Sequence, residues 1–468
     1  MPAGRRHYTA AVEGSGRQGL AGGEGVGGAR ASGISVWAWV LYDFANTMFA
    51  VTVLTLFFPL WVEERVGEGG AFISAPGLVN AATAVSALLV VFSAPVLGAV
   101  ADFRQRRVPY LVAMTLAAVA LTAALDLAGG VAVGLAVFVA ADLAFQSALV
   151  FYNALLPAVS AGRGEGRVSG YGTAAGYVGT ILALLVLTHI VQNGEALRSM
   201  LGPLGGWLET GPEANSNAFL PTALLYLAFS LPAFFLVPDP AVRARRPVSL
   251  GAAYRDVYRT LRNLGGYAGV GTFILATVLY TDAANTAIAN MALYGRVVFG
   301  MDTGQVTSLL LFSTVFAVVG SVAFGYVCDR AGPKRTLLAV LVVWFVAIVL
   351  AAGAVGAWML FVAGPFVGVA LGGMWTVGRV MLVALSPPEK LGEFFGLFSL
   401  AGKVSAVFGP ALTAVLLFAF GGGAVGYRLA IGSLAVIMAA GIFFLLRVPD
   451  ARPGDPPHLI RRPPGPKM

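Results

Sequence analysis

Two matching stripes of polar residues interrupt otherwise apolar segments of this sequence. Asp43 is followed by Asn46 and Thr47, and Asp282 is followed by Asn285 at the same spacing. Residues three and four positions apart share one face of an α-helix. Each stripe therefore presents a carboxylate beside an amide, a set that can bind an ammonium group, sugar hydroxyls or a proton in transit. The alternative is a buried polar cluster that only joins neighbouring helices by hydrogen bonds.

Other ionisable residues also lie inside apolar segments. Asp142 is followed four residues later by Gln146, so these two share a helix face. A charged group at the centre of a bilayer costs about 2.5–3.5 kcal/mol, so such groups face a cavity or a partner. Arg379 therefore needs an anion, either Asp142 or a carboxylate of the substrate, and Lys403 is expected to face a cavity. With the two stripes, these residues are the candidates for substrate binding or ion coupling.

Apolar segments of membrane-spanning length carry all of these residues. Of the 468 residues, 58% are hydrophobic and only 11% are charged, whereas soluble domains carry about 25% charged residues. A transmembrane helix needs about 20 consecutive apolar residues. Such runs fall at 34–60, 78–101, 108–128, 131–153, 168–192, 217–237, 266–290, 304–327, 336–356, 358–385, 392–419 and 424–447. We therefore predict an all-α membrane protein with twelve transmembrane helices.

The two halves of the sequence repeat each other. D-F-A-N-T at 43–47 recurs as D-A-A-N-T at 282–286. In the same order, the segments 98–102, 154–157 and 166–176 recur at 325–329, 384–387 and 392–402. Matches in register indicate an internal duplication, and six spans in each half give both repeats the same orientation in the membrane. We predict two pseudo-symmetric six-helix bundles, at 34–237 and 266–447.

Basic residues are distributed unevenly between the two sides of this arrangement. They are concentrated in the tails and the even-numbered loops, whereas the odd-numbered loops hold only Arg65, Arg198, Arg296 and Arg428. Lys and Arg accumulate on the cytoplasmic side of membrane proteins. The chain is therefore predicted to be a multi-pass protein of the cell membrane with both termini in the cytoplasm.

The segments outside the two bundles differ from them in composition. Residues 1–33 are rich in glycine and arginine and are predicted to be a disordered cytoplasmic tail. Residues 448–468 form a second tail. The segment 238–265 between the bundles carries Arg243, Arg245, Arg246, Arg255, Arg259 and Arg262. It is predicted to be an amphipathic cytoplasmic linker that lies on anionic headgroups.

Aromatic residues flank several of the predicted spans. Trp37, Trp39, Trp61, Trp207 and Tyr427 lie near span ends. Trp and Tyr are enriched at both membrane–water interfaces. We therefore expect these side chains in interfacial belts and assign them no part in substrate binding.

Two related loops follow the second and eighth spans. The first contains Gly98, Asp102, Arg106 and Arg107, and the second contains Gly325, Asp329, Arg330, Gly332 and Lys334. They resemble the G-x-x-x-D-R/K-x-G-R-R/K signature of the major facilitator superfamily, from which Phe103, Gln105 and Pro333 depart. The resemblance implies a carrier that alternates between inward-open and outward-open states, with these loops as conformational switches.

A narrower resemblance comes from the first and eleventh spans. The segment W-V-L-Y-D-F-A-N at 39–46, followed by F-F-P at 57–59, is similar to the opening of the vacuole-effluxer (autophagy-related permease) family. E-F-F-G-L-F at 393–398, then Gly402-Lys403 and Gly409-Pro410, resembles the eleventh span of that family. The resemblance implies transport of small solutes, with amino-acid export as the best-known activity among fungal relatives.

These patterns favour a secondary transporter of a small polar solute, such as an amino acid, over an enzyme. The sequence has no P-loop, no H-E-x-x-H motif and no metal-spaced Cys/His cluster, so no cofactor or metal is expected. The expected partners are the lipid bilayer, a small-molecule substrate and either H⁺ or Na⁺, with no nucleic acid, and the protein is expected to be a monomer. Sugar–cation symport and drug efflux remain alternatives, and a lipid flippase or a membrane-embedded enzyme fits less well.

Overall fold

The fold is known from a computed structural model, which describes residues 32–66, 74–209, 214–239, 249–267, 269–405 and 408–452. Within these ranges the chain forms helices and contains no strand. The predicted tail 1–33 lies almost wholly outside the described residues, as does most of the tail 448–468. The bounds predicted for the two bundles remain predictions.

The first half of the chain consists of long helices joined by short ones. α1 (Gly33–Phe49) continues through a π-helical stretch (Ala50–Phe57) into α2 (Phe58–Val66). The others are α3 (Ala75–Arg104), α4 (Val108–Leu125), α5 (Val131–Ala154), α6 (Leu156–Ser160), α7 (Glu165–Gln192), α8 (Gly194–Leu201) and α9 (Phe219–Leu236). Short 3-10 turns at Gly202–Gly205 and Asn215–Ala218 precede α9.

The second half follows a short linker helix, α10 (Leu250–Arg262), and a 3-10 turn at Leu264–Gly266. Its helices are α11 (Val270–Phe299), α12 (Thr303–Ala331), α13 (Pro333–Ala352), α14 (Ala357–Leu385), α15 (Leu391–Val404), α16 (Phe408–Phe420) and α17 (Ala424–Leu446). A further 3-10 turn at Pro388–Lys390 leads into α15. Helices therefore occupy all twelve predicted span positions.

Eleven helical segments in the described ranges are long and apolar enough to cross a membrane. The helix at the remaining predicted position, α11, has 30 residues but is less apolar. Asp282, Asn285, Asn290 and Arg296 interrupt its hydrophobic sequence, and this explains the difference. The all-α architecture of twelve helices in two six-helix bundles is that of the major facilitator fold.

The eleventh predicted span, 392–419, contains two described helices that lie on either side of residues 406–407. α15 ends at Val404 with Ser405 as its C-cap, and α16 begins at Phe408. Pro410 lies in the first turn of α16 as the structure describes it, a position where a missing N–H is tolerated.

Helices of the two halves meet in two places. α7 packs against α12 and α14, and α3 and α5 pack against α15. Trp39 and Trp61 are fully buried in the helix packing. The prediction that these two side chains lie in interfacial belts was wrong, because each is enclosed by neighbouring helices and stacks on other aromatic rings.

Candidate transport cavity

A cavity of about 410 Å³ lies between the two halves. Helices α1, α5 and α7 line it from one half, and α11, α14 and α15 line it from the other. The polar and charged residues of its wall are Asp43, Thr47, Gln146, Asn153, Thr173, Tyr177, Thr277, Tyr280, Thr281, Arg379, Ser399 and Lys403. A polar cavity enclosed by both halves can hold a small solute.

An ion pair across the two halves is the main charged feature of this cavity. Arg379 Nη2 donates to Asp43 Oδ2 at 2.8 Å and to the hydroxyl of Thr173, also at 2.8 Å. Both ionic side chains are buried, with relative exposures of 5% for Asp43 and 9% for Arg379. Arg379 Nη1 is also buried and has no hydrogen-bond partner among the residues described. The guanidinium is thus anchored through Nη2 to both Asp43 and Thr173.

Asp142, the side-chain partner predicted for Arg379, lies elsewhere. Its carboxylate accepts hydrogen bonds from Ser86 Oγ at 2.6 Å and from Gln146 Nε2 at 3.1 Å. The prediction of an Asp142–Arg379 pair was therefore wrong. Asp142 joins α5 to α3 within the first half and does not line the cavity, whereas Gln146, one turn later on α5, does.

Aromatic rings and a glycine fix the position of the ion pair. The guanidinium carbon of Arg379 lies 5.7 Å from the ring centroid of Trp39 and 5.9 Å from that of Tyr152, and the two rings stack on each other. A methyl group on Gly172 would lie 2.6 Å from the Trp39 ring and 2.8 Å from Asp43 Oδ2. Only glycine leaves room here for the aspartate. Sequence reasoning did not identify Trp39 or Tyr152 as neighbours of the cation, although aromatic faces attract guanidinium groups.

Lys403 is a second cation in the cavity wall. It lies in the last turn of α15, is half-buried, and makes no ion pair with any residue in the described ranges. The hydroxyl residue Ser399, one turn earlier, also lines the cavity. Lys403 was predicted to face a cavity, and the structure has it among the residues that line this one.

The remaining stripe residues lie outside the cavity wall. Asn46 Oδ1 accepts a hydrogen bond from the hydroxyl of Tyr226 at 3.2 Å, within the first half. Asn285 is half-buried in α11. Asp282 is fully buried, and neither of its carboxylate oxygens has a hydrogen-bond partner in the described part of the chain.

The surroundings of Asp282 differ sharply from those of Asp43. A methyl group on Gly409 would lie 2.9 Å from Asp282 Oδ2, so the carboxylate faces the first turn of α16. The N-terminal end of a helix carries a partial positive charge and favours negative groups. The first described turn of α16 thus lies against a buried carboxylate.

The two signature loops close one end of the molecule, which we call the linker end because α10 also packs there. Asp102 accepts backbone N–H bonds from Gly392 at 3.1 Å and Glu393 at 2.9 Å, at the start of α15. Arg107 Nη2 donates to the same carboxylate at 3.0 Å. Arg107 also binds the backbone carbonyls of Ala154 and Pro388, so it joins both halves.

Asp329, in the second half, makes the equivalent contact with the first half. Its carboxylate accepts the backbone N–H of Gly166 at 2.7 Å and that of Arg167 at 3.2 Å, at the start of α7. Arg167 Nε also donates to it at 2.8 Å. Each half therefore caps a helix of the other with an aspartate, and the carboxylate neutralises the positive helix end.

Close backbone contacts accompany both aspartate caps. A methyl group at Gly98 would overlap the carbonyl of Gly392, and one at Gly325 would lie 2.6 Å from the carbonyl of Gly166. Gly332 adopts a positive φ of 87° at the turn into α13. Arg106 and Arg330 are exposed, and Lys334 binds the carbonyl of Leu446 at 3.0 Å. Sequence reasoning did not identify Gly166 and Gly392 as parts of this closure.

Comparison with known protein families identifies the chain. The family model described as "Vacuole effluxer Atg22 like" matches residues 65–453. The chain belongs to this vacuole effluxer family. The match covers both signature loops and the predicted spans after the first, including the eleventh-span motif at 393–398.

Relatives of this vacuole effluxer family member occur in bacteria and fungi. It is 25% identical over 425 residues to the uncharacterized MFS-type transporter YxiO of Bacillus subtilis, covering 89% of this chain and 95% of the relative. It is 25% identical over 293 residues to autophagy-related protein 22 of Pichia angusta, covering 54% of this chain and 50% of the fungal protein. The chain thus matches about half the length of this fungal relative.

Solved structures show the same fold at low sequence identity. The human organic anion transporter MFSD10 matches with a TM-score of 0.66 and 13% identity, covering 88% of this chain and 98% of that one. The transporter FucP, in its outward conformation, matches with a TM-score of 0.65 and 15% identity, covering 88% and 97%. This member of the vacuole effluxer family is therefore a multi-pass membrane protein and a transporter of the major facilitator type.

Proposed function

We propose that this chain is a secondary transporter that carries a small polar solute with an anionic group, such as an amino acid, by alternating access. The observation that carries the proposal is the charge of the cavity wall. Arg379 and Lys403 face a single carboxylate there, Asp43. The excess of positive charge favours a substrate that brings its own carboxylate.

The geometry around Arg379 supports this substrate class. Its Nη2 is occupied by Asp43 and Thr173, whereas its Nη1 has no partner within the described ranges. A substrate carboxylate can bind Nη1 and the ammonium of Lys403, since hydrogen bonds between ionised groups are about twice as strong as neutral ones. An amino group on the same substrate can approach Asp43. The cavity of about 410 Å³ lies in the range of about 300–1,000 Å³ that holds small ligands.

Neutral polar groups in the wall favour a second candidate, a sugar carrier. Gln146, Asn153 and Ser399 can bind hydroxyl groups without any need for charge. The charged wall argues against a carrier of purely hydrophobic drugs. A lipid flippase and a membrane-embedded enzyme have no observation in their favour.

Counterflow in proteoliposomes tests the substrate class. The panel should contain amino acids, other small carboxylates, neutral sugars and a cationic drug. We expect exchange of a carboxylate-bearing solute and a loss of at least tenfold in Lys403→Gln, because a charged hydrogen bond contributes about 1.5–3 kcal/mol. Lys467→Gln in the C-terminal tail is the matched control and should exchange normally. Exchange of neutral sugars alone would refute the anionic class.

The membrane orientation follows from the distribution of basic residues. The preference of Lys and Arg for the cytoplasmic side supports cytoplasmic termini and a cytoplasmic linker, so we infer that the closed linker end faces the cytoplasm. Ser249→Cys tests this, because Ser249 lies in the linker and the native Cys328 is buried. We expect labelling by an impermeant thiol reagent only after the cells are permeabilised. Efficient labelling of intact cells would invert the topology.

A further inference from the structure

The linker helix α10 has three distinct faces. Ala253, Val257 and Thr260 are buried. Large apolar and aromatic side chains form a second, exposed face, with relative exposures of 46–64% for Leu250, Tyr254, Tyr258 and Leu261. A third face consists of the exposed side chains of Arg255, Arg259 and Arg262. An exposed aromatic stripe flanked by arginines is typical of a helix that lies in a membrane interface.

The buried face holds α10 at the ends of the spans. Ala253 and Val257 pack in one cluster with Val96, Ala99 and Val100 of α3, which ends a few residues later at Arg104. The helix therefore lies at the depth where the apolar spans give way to headgroups. This position suits Tyr254 and Tyr258, since tyrosine rings prefer the headgroup level.

The same helix is bonded to the opposite half of the molecule. Lys390 Nζ donates to Asp256 Oδ2 at 3.0 Å, to Thr260 Oγ1 at 2.9 Å and to Glu393 Oε2 at 3.0 Å. Glu393 is the residue whose backbone N–H is capped by Asp102. α10 thus packs on α3 of one half and is ion-paired to α15 of the other, beside the contact that closes the linker end.

We propose that the outer surface of α10 binds acidic phospholipid in the bilayer, and that this binding stabilises the conformation closed at the linker end. The three arginines provide charge complementarity to anionic headgroups, and the Leu/Tyr stripe inserts beside them. Lipid that holds α10 in place also holds the Asp256–Lys390 bond. The closed state is thereby favoured where acidic lipid is abundant.

The tails of the chain are unsuitable occupants of this surface. Residues 1–31 contain Arg5, Arg6, Arg17 and Arg30 against Glu13 and Glu24, and residues 453–468 contain Arg461, Arg462 and Lys467 against Asp455. Both tails carry net positive charge and are repelled by the arginine face. An anionic surface is the complementary partner.

Lipid titration of the purified full-length protein in detergent micelles tests the binding. Phosphatidylglycerol is compared with phosphatidylcholine, and hydrogen exchange of the 250–262 amides reports binding. We expect phosphatidylglycerol alone to slow exchange. Since each arginine near an anionic surface contributes about a fivefold factor, Arg255→Gln/Arg259→Gln/Arg262→Gln should weaken the apparent affinity by about a hundredfold.

A control variant and a soluble headgroup analogue distinguish lipid binding at α10 from a non-specific attraction of acidic lipid to basic residues. Arg104→Gln/Arg335→Gln/Arg447→Gln removes three exposed arginines at the linker end away from α10 and should change the affinity less than threefold. Equal weakening by both triple variants, or equal protection by both lipids, overturns the proposal. Displacement by millimolar glycerol phosphate also overturns it, because the ligand would then be a free phosphate.

The coupling to closure is tested in nanodiscs by hydrogen exchange of the 391–398 amides, which include the two capped by Asp102. Phosphatidylglycerol should slow their exchange about tenfold in the wild type. Asp256→Asn removes the charge that binds Lys390, and should keep lipid protection of 250–262 but lose it at 391–398. If this variant retains the full lipid effect at 391–398, the helix binds lipid without controlling closure, and that part of the proposal is wrong.

Discussion

At the scale of single residues, the Asp43–Arg379 pair is the strongest constraint on the cavity. Each partner is buried and each belongs to a different half, 336 residues apart in the chain. Removing one partner of a buried pair leaves an uncompensated charge, which costs about 3–5 kcal/mol, whereas replacing both partners can be close to neutral. Stability and transport should therefore respond differently to single and double substitutions.

Arg379→Ala is expected to abolish transport and to lower the free energy of unfolding by about 3–5 kcal/mol. Asp43→Asn/Arg379→Gln keeps both shapes without charge and should regain most of the stability, as measured by the thermal midpoint in detergent. It should not regain counterflow, because the guanidinium that binds the substrate is absent. Full activity of Arg379→Ala would contradict the assignment of Arg379 to the substrate site. Full activity of the double variant would show that the pair has a structural role only.

The partner of Arg379 could be predicted only in part from the sequence. The cost of an unpaired charge in a span predicted that Arg379 has an anionic partner, and a carboxylate does bind it. The choice of Asp142 failed because pairing across two halves depends on helix rotation and on local donors. Gln146 binds Asp142, as their four-residue spacing allows, and Ser86 of α3 binds it too, which nothing in the sequence indicates.

At the scale of secondary-structure elements, close packing of α1 against α7 positions the pair. Gly172, Gly176 and Gly179 follow one another at roughly one turn on α7, and each faces a residue of α1. Small residues allow two transmembrane backbones to approach closely. Gly172 faces Asp43 and Trp39, so a side chain there would disturb the charged centre and not only the packing.

Gly172→Ala is therefore expected to impair transport more than the addition of one methyl group usually does. The added methyl would lie 2.8 Å from Asp43 Oδ2 and 2.6 Å from the Trp39 ring, and overpacking costs about 1–3 kcal/mol. The matched control is Gly432→Ala on α17, where the nearest atom would be 3.7 Å away, an ordinary contact. Counterflow and the thermal midpoint should both fall for Gly172→Ala alone. Equal behaviour of the two variants would show that the position of Asp43 is not limiting.

The helices themselves were largely predictable, because lipid fixes both their length and their polarity. All twelve predicted span positions contain helix. The structure differs from the hydropathy pattern where polar residues or a proline interrupt an apolar run. α11 carries the polar stripe of Asp282 and falls short of the apolar criterion that the other spans meet. In the eleventh predicted span, Glu393 and Lys403 interrupt the apolar run, and Pro410 lies in the first described turn of α16.

At the scale of the whole molecule, the pseudo-symmetry is strong at the closed end and broken at the charged centre. Asp102 and Asp329 cap helices α15 and α7 in equivalent ways. The carboxylates of the two repeated stripes, in contrast, have different surroundings. Asp43 meets Arg379. The repeat aligns Ala154 with Ala384. Leu149 and Arg379 lie at the same distance before these two alanines, so Leu149 is the counterpart of Arg379 and offers Asp282 no cation.

This asymmetry assigns different roles to the two aspartates. A carboxylate that is ionised and isolated from water is so costly that it neutralises instead. Asp282 is fully buried, and its carboxylate lies against the first turn of α16. Asp43 lines the cavity in an ion pair with Arg379, so an anionic substrate that binds the guanidinium changes the surroundings of Asp43 directly. We propose that one of these two carboxylates couples a proton to the movement of the two halves.

Substitution by asparagine distinguishes coupling from scaffolding, since it keeps the shape of each side chain and removes its titration. Proton-driven uptake is compared with counterflow in the same proteoliposomes for Asp43→Asn, Asp282→Asn and the double variant. We expect Asp282→Asn to exchange substrate but not to accumulate it against a gradient. Asp43→Asn and the double variant leave Arg379 without its carboxylate, so they should lose accumulation and also exchange more slowly. Asp142→Asn, a buried aspartate outside the cavity wall, is the matched control and should still accumulate substrate. If the double variant concentrates substrate on a proton gradient, the coupling site lies elsewhere, and a sodium gradient applied to the same vesicles tests Na⁺ as the coupling ion.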